Sequence, residues 1–331
     1  MNPVLAASLR VLAAVGMMLL NGVVLIYMLR KVLGRLHIRM GPMELGPRGM
    51  FQTLADVFKL LAKEDVTPAN VDKALYIIAP ALVFVPSLLA YAAIPFSGDL
   101  VIADFDLGLL LTFAVISLVP LGVVAAGWSS ANKWSLLGGM RSVAQQVSYE
   151  VPMLLAALPP VMIAGSLNLG DIVRAQDPLW FWLPCFPALV IYYIAGLVET
   201  NQTPFDMSEA ESELVSGFAT EYSSMKFGLL FLSEFSNSFI FAAMLVTLFF
   251  GGWRVPFVPV DAMGNWAAVV FIAKVYLAIA ILMWIRGTLP RVRIDQLLAM
   301  GWKVLLPAAL AWVMITGVAL KLGGPLFGGA R

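Results

Sequence analysis

Residues 190–218 read "VIYYIAGLVETNQTPFDMSEAESELVSGF". An apolar run gives way abruptly to Glu199, Asp206, Glu209, Glu211 and Glu213, with no basic residue among them. Followed back to residue 180, the apolar side is as long as a membrane crossing, which takes roughly 20 mainly apolar residues. The stretch therefore predicts a transmembrane helix that delivers a cluster of carboxylates to one face of the bilayer.

The rest of the chain has the same character. Of its 331 residues, 61% are hydrophobic and 12% charged, whereas a soluble domain is about half apolar and a quarter charged. The composition predicts an all-α, polytopic membrane protein forming a single integral membrane domain over 1–331. The first apolar run is full length and is followed by basic residues, so it reads as a retained span and not a cleaved signal. The one cysteine, Cys185, excludes internal disulfides and a Cys-ligated iron–sulfur cluster, and the one histidine, His37, excludes a His-rich metal site.

About eight spans are expected, near 4–28, 76–96, 107–127, 150–168, 180–199, 228–250, 267–286 and 303–322. The segments 30–75, 128–147 and 287–303 are basic, and alternate with 97–106, 169–179 and 251–266, which are poor in Lys and Arg. Basic loops stay in the cytoplasm. That places both termini on the outer, periplasmic side and the acidic loop 200–227 in the cytoplasm. Within it, Asp206 and Ser208 are expected as helix N-caps, with an acid three residues on from each. Capping leaves the remaining acids unexplained, because like charges one helical turn apart are destabilising.

The segment 48–64 is no span. Gln52, Asp56, Lys59 and Lys63 recur on one helical face, and Met50, Leu54, Val57 and Leu61 on another, with Phe51 and Phe58 beside them. This is an amphipathic helix in the interface plane. It serves either as a surface anchor or as the wall of an entrance for a lipid-soluble molecule. Two Gly-Pro pairs, Gly41-Pro42 and Gly46-Pro47, precede it and force a rigid turn.

Glu150, Glu199 and Glu234 fall within or at the ends of spans, and Lys274 lies near the middle of one. Ionisable groups there are costly and point to function. The structural alternatives are a Lys274–carboxylate pair and interhelical hydrogen bonds from Glu150 and Glu234. As the one histidine of the chain, His37 fits either a proton-passing role or an interfacial hydrogen bond.

Four blocks carry a resemblance: "GPRGMFQTLADVFKLLAKED", "GWSSANKWSLLGGMRSVAQQVSYE", "ETNQTPFDMSEAESELVSGFATEYSSMKFGLLFLSE" and "WIRGTLPRVRIDQLLAMGWKVLLP". In this order they resemble the H subunit family of bacterial NADH-quinone oxidoreductase, homologous to subunit 1 of mitochondrial respiratory complex I. The resemblance runs from Tyr27 to Pro307. It implies a subunit of a proton-translocating NADH:quinone oxidoreductase in the cell inner membrane. Such a subunit anchors the peripheral arm and forms much of a quinone-access chamber. The implied ligand is quinone, ubiquinone or menaquinone, with no iron–sulfur cluster, flavin or metal held by this chain. The implied partners are peripheral-arm subunits carrying the terminal iron–sulfur cluster and quinone-head site, small membrane subunits, antiporter-like proton-pumping subunits and membrane lipid, with no nucleic acid.

The same resemblance assigns proton coupling to Glu150, Glu199, Asp206, Glu209, Glu211, Glu213, Glu221 and Glu234. It assigns the chamber and its entrance to Arg30, Arg39, Lys274 and Arg286, to which we add His37, Phe51 and Phe58. Three departures cluster at the chamber mouth. Leu29 stands in "YMLRK" where the family has Glu, His37 where it has Gln, and Met43-Glu44 where it has Asn-Arg. They bear on quinone type and leave the acidic loop intact. Two other readings fit less well: the membrane anchor of a nickel–iron hydrogenase or formate hydrogenlyase, which shares the Pro-Phe-Asp-x-x-Glu-Ala-Glu core, and a stand-alone ion or solute transporter. The electron donor is not encoded in this chain.

Overall fold

The computed structural model describes residues 3–98, 100–177, 179–208, 211–256 and 266–323. Among them the chain is helical throughout, and the only extended pairing is an isolated bridge between Pro95 and Val101. Helix α1 spans Pro3–Leu36, α2 Gln52–Ala62, α3 Lys73–Ala93, α4 Gly108–Ile116 and α5 Val119–Ser129. Helix α6 spans Lys133–Ala164, α7 Leu169–Arg174, α8 Phe186–Glu199 and α9 Glu211–Leu214. Helix α10 spans Ser224–Phe249, α11 Trp266–Thr288, α12 Ile294–Met300 and α13 Leu306–Lys321, the last two joined by a π-turn at Gly301–Leu305.

Seven helical segments among the described residues are long and apolar enough to cross a membrane: Ser8–Leu36, Lys73–Ala93, Gly108–Ser129, Lys133–Ala164, Ser224–Phe249, Trp266–Thr288 and Ile294–Lys321. The eighth expected span, 180–199, is a 14-residue apolar helix, α8. Residues 181–185 form turns, and the helix starts at Phe186 with Pro187 in its first turn, where the missing N–H would be unpaired in any case.

Two boundaries differ from the sequence reading for one reason. The expected basic loop 128–147 is largely helix, so Lys133 and Arg141 ride on α6 and the expected span 150–168 is only its second half. Likewise 294–302 extends the last span backwards through α12. Hydropathy reads the first of these stretches as loop because it carries Ser135, Gln145 and Gln146, yet all three side chains are buried against other helices. Helix α1 also continues through Arg30, Lys31 and Arg35 before it stops at Leu36.

The most buried helix is α10, whose residues 238–249 are buried without exception. It packs against α1, α2, α3, α8 and α11. Close approach is set by small residues: a Cβ on Gly196 of α8 would run into the Phe241 ring of α10. Small residues are how helices approach closely in lipid, where no hydrophobic force separates lipid from protein. The Cα of Gly217 would lie 2.8 Å from a Cβ on Gly138, so the end of the acidic loop is seated directly on α6. Outward-facing residues such as Leu110, Leu121, Leu277, Trp284, Met314 and Val318 remain exposed, as lipid-facing surfaces require.

Candidate functional site

The C-terminus of α8 presents carbonyls that no intrahelical donor can reach. Gln145 of α6 supplies one: its Nε2 donates to the Val198 carbonyl at 2.7 Å and to Asn201 Oδ1 at 3.0 Å. Asn201 adopts a left-handed backbone (φ 51°), turning the chain back after the helix. That turn drives Gln202 inward, where it is 2% exposed.

Gln202 then serves two helices at once. Its Oε1 accepts from the Arg286 guanidinium of α11 at 2.5 Å, and its Nε2 donates to Glu234 Oε1 of α10 at 3.1 Å. Arg286 and Glu234 themselves lie 3.9 Å apart. The loop 288–293 is held to the same turn by the Val292 N–H, which donates to the Pro204 carbonyl. A part-buried cation, a part-buried carboxylate and a buried neutral amide thus form one cluster at the junction of α8, α10 and α11.

Glu199, the last residue of α8, is buried beside it. Its Oε2 receives no hydrogen bond from the protein. Glu150 of α6 and Tyr192 of α8 lie close enough to interact electrostatically with it. Asp206 likewise interacts with Glu234. The structure therefore brings together Glu150, Glu199, Asp206, Glu234 and Arg286 from the sequence-derived set.

It does not bring the remaining acids into that cluster. Glu213 is on the surface, its carboxylate 2.6 Å from Arg141 of α6. Hydrogen bonding to the Arg141 guanidinium holds its carboxyl below the usual glutamate range. Glu221 accepts from Asn132 at 2.8 Å, and its backbone carbonyl accepts from Tyr76. Glu211 opens α9, and Glu209 lies outside the described residues. The expected cap at Ser208 is not formed: its buried Oγ has no hydrogen-bond partner.

A second group forms around α2. Arg30 of α1 is ion-paired with Asp56 of α2. The far end of α2 is held by Ser224 of α10, whose Oγ donates to the Leu60 and Lys63 carbonyls at 3.0 and 2.8 Å. So α2 lies cradled between the ends of α1 and α10, with Thr53 buried and Leu54, Phe58 and Leu61 exposed. Phe51 is about half exposed and covers Gly46. His37 and Arg39 are exposed past the end of α1. Leu29 packs against the core, so this departure is an interior one. Gly287 abuts Leu33 and Leu36 of α1, which joins the α2 region to the Arg286 end of α11.

Lys274 belongs to neither group. It lies roughly 18 Å along α11 from Arg286. Its Nζ donates to the carbonyls of Phe250, Gly252 and Arg254 at 2.8, 2.9 and 2.5 Å and sits 4.2 Å from the centroid of the Trp180 ring. Its partners are backbone carbonyls, not the carboxylate of the structural alternative. Three of them converge because α10 ends at Phe249 and the chain turns through two left-handed glycines, Gly251 and Gly252.

Sequence reasoning missed Gln202, Gln145, Gln146 and Asn237. All are uncharged amides. The available signal was placement alone: Gln202 three residues past Glu199, and a Gln-Gln pair one to two turns before Glu150. Among the described residues no group of three or more His, Cys, Asp or Glu side chains is placed to hold a metal ion.

Fold and site define a polytopic helical membrane protein with buried carboxylates and a guanidinium gathered at one end of its helix bundle. The chain belongs to the NADH dehydrogenase family, whose model matches residues 9–317. It is 45% identical to the NADH-quinone oxidoreductase H subunit of Magnetococcus marinus, over 88% of this chain and 85% of the relative. The proteins of the same name from Carboxydothermus hydrogenoformans and Rhodospirillum rubrum are 47% and 44% identical. Those matches cover 95% of this chain in each case, and 90% and 94% of the relatives.

Proposed function

We propose that this chain is the quinone-facing membrane subunit of a proton-translocating NADH-quinone oxidoreductase, the enzyme its relatives are named for. It forms one membrane domain with eight crossings, α8 being the short one. Both termini lie outside, and the 200–227 loop lies in the cytoplasm. The observation that carries the reading is the Gln202 clamp, which ties a part-buried carboxylate and a part-buried guanidinium to the loop where the acids begin.

Quinone, ubiquinone or menaquinone, enters from the bilayer between α1, α2 and α10, across the exposed faces of Leu54 and Phe58. Arg30, Arg39, His37, Phe51 and Arg286 line the approach. An isoprenoid tail needs mainly apolar walls with few polar groups. The head is reduced at a site completed by peripheral-arm subunits, which carry the terminal iron–sulfur cluster. Reduction of quinone to quinol takes up electrons and protons in equal number. That proton demand, placed beside Glu199, Asp206 and Glu234, alters their charge and so biases the neighbouring antiporter-like subunits. Such coupling requires only that the cluster interact differently with the two quinone states.

Affinity purification of this chain from gently solubilised cell membranes, with the co-purifying chains identified by mass, tests the assignment. Iron–sulfur subunits arriving with antiporter-like subunits and an NADH-oxidising flavoprotein are expected. A nickel-containing large subunit, or a chain that purifies alone, would overturn it.

A further inference from the structure

Two small cavities adjoin the acid cluster. One, about 20 Å³, lies among α4, α6, α8 and α10; the other, about 30 Å³, lies towards α3 and α5. Glu199, Thr200, Gln146 and Asn237 line both, and Glu234 lines the second. A cavity of roughly 10–15 Å³ or more holds a water if polar partners surround it. These cavities meet both conditions, although neither admits a quinone ring.

The side chains around them are underused. Gln146 is 2% exposed and its Oε1 receives no donor from the protein; Glu199 is 9% exposed and its Oε2 likewise receives none. Buried polar atoms are almost always hydrogen-bonded, and an orphaned one costs about 1–3 kcal/mol. Two orphaned acceptors beside cavities of this size call for a small donor. Asn237 is fixed in the same wall, because Ser87 Oγ of α3 donates to its Oδ1 at 2.8 Å. Gln146 has no hydrogen-bonding task in helix packing, unlike its neighbour Gln145, which holds the end of α8.

We propose that the Gln146 amide is a positioning residue: with Asn237 it holds water against the Glu199 carboxyl, and that water links Glu199 to Glu234. This rests on the proton-coupling reading above. The proton moves from one carboxyl to the water as the water releases another to the second carboxyl, so no oxidant or further reactant is needed. Gln146 exchanges no proton itself. It fixes where the water oxygen sits, which a hydrophobic residue of equal size would not do.

The test uses the assembled complex. A structure at a resolution that shows waters is expected to place one within about 3.2 Å of both the Glu199 carboxyl and the Gln146 amide. A direct Gln146–Glu199 hydrogen bond with no water between them would overturn the proposal. In reconstituted vesicles, Gln146→Met is expected to slow quinone-coupled proton transfer about ten-fold or more and to raise its solvent deuterium isotope effect. Gln146→Asn, which keeps an amide that exchanges no proton, is expected to recover part of the rate. A normal rate and isotope effect in Gln146→Met would refute the positioning role. Glu199→Gln in the same vesicles separates the two levels. If it blocks pumping while Gln146→Met does not, the acid route stands and the water link falls. If Glu199→Gln pumps normally, both fall.

Discussion

Glu234 and Arg286 stop 3.9 Å apart, and the amide of Gln202 occupies hydrogen-bonding positions on both. A neutral side chain therefore mediates between a part-buried anion and a part-buried cation. Removing one partner of a buried charged group leaves the other uncompensated, which is costlier than losing a pair outright.

Gln202→Ala removes that mediator. The expected loss is about 1–3 kcal/mol of stability for each charged group left short of a hydrogen bond. It is read as a lower apparent melting temperature of the purified complex, together with reduced quinone reductase turnover. A variant with unchanged melting behaviour would mean that water replaces the amide without cost.

Glu234→Gln keeps the shape of that contact and removes the charge. Proton translocation and turnover are expected to fall about ten-fold or more, with subunit assembly intact on native gels. Normal pumping would remove Glu234 from the coupling route.

Glu213 offers a pH signature outside the membrane-spanning segments. Its carboxyl titrates lower in the folded chain than when unfolded, because Arg141 hydrogen-bonds to the charged form. The pair's contribution to stability is thus present above the unfolded value, roughly pH 4, and is lost as pH falls through the lower folded value. The surface position keeps that contribution small. Protection factors of the amides in 211–216, taken relative to the intrinsic exchange rate at each pH, are expected to fall on acidification in the native chain and to lose that dependence in Glu213→Gln.

Lys274→Met should act on stability and not on quinone affinity. It strips three carbonyls of the 250–254 turn of their shared donor. The expected outcome is faster proteolysis near that turn and a lower assembly yield, with an unchanged KM for quinone in the complex that does assemble. A raised KM would bring Lys274 into the chamber.

The helical class and most span positions were legible because long apolar runs have one stable form in lipid. The first half of α6 was not legible: Gln145 and Gln146 look like loop residues until α8 and the acidic turn cover them. Gln202 escaped notice because an amide carries no charge to betray burial. Lys274 stands out as a cation in an apolar run, but its spacing on the helix could not reveal that its partners are carbonyls of the preceding turn. Glu199 was legible as an acid at a span end and Glu234 as one within a span; their convergence was not, since it depends on how α8, α10 and α11 pack.

The wide turn at Gly301–Leu305 sets the angular phase of everything after it. Gly301 lies against Tyr149, and Trp302 donates to Ser148 at 3.1 Å, so the turn is anchored to α6. A π-turn accommodates one more residue than the α-helix it interrupts. Each helical residue advances the face by about 100°. Deleting a single codon here would let the turn tighten to α-helix with buried Ala309 and Thr316 still facing the bundle, whereas adding one would swing both towards lipid. This part of the chain should therefore tolerate the loss of one residue far better than the gain of one.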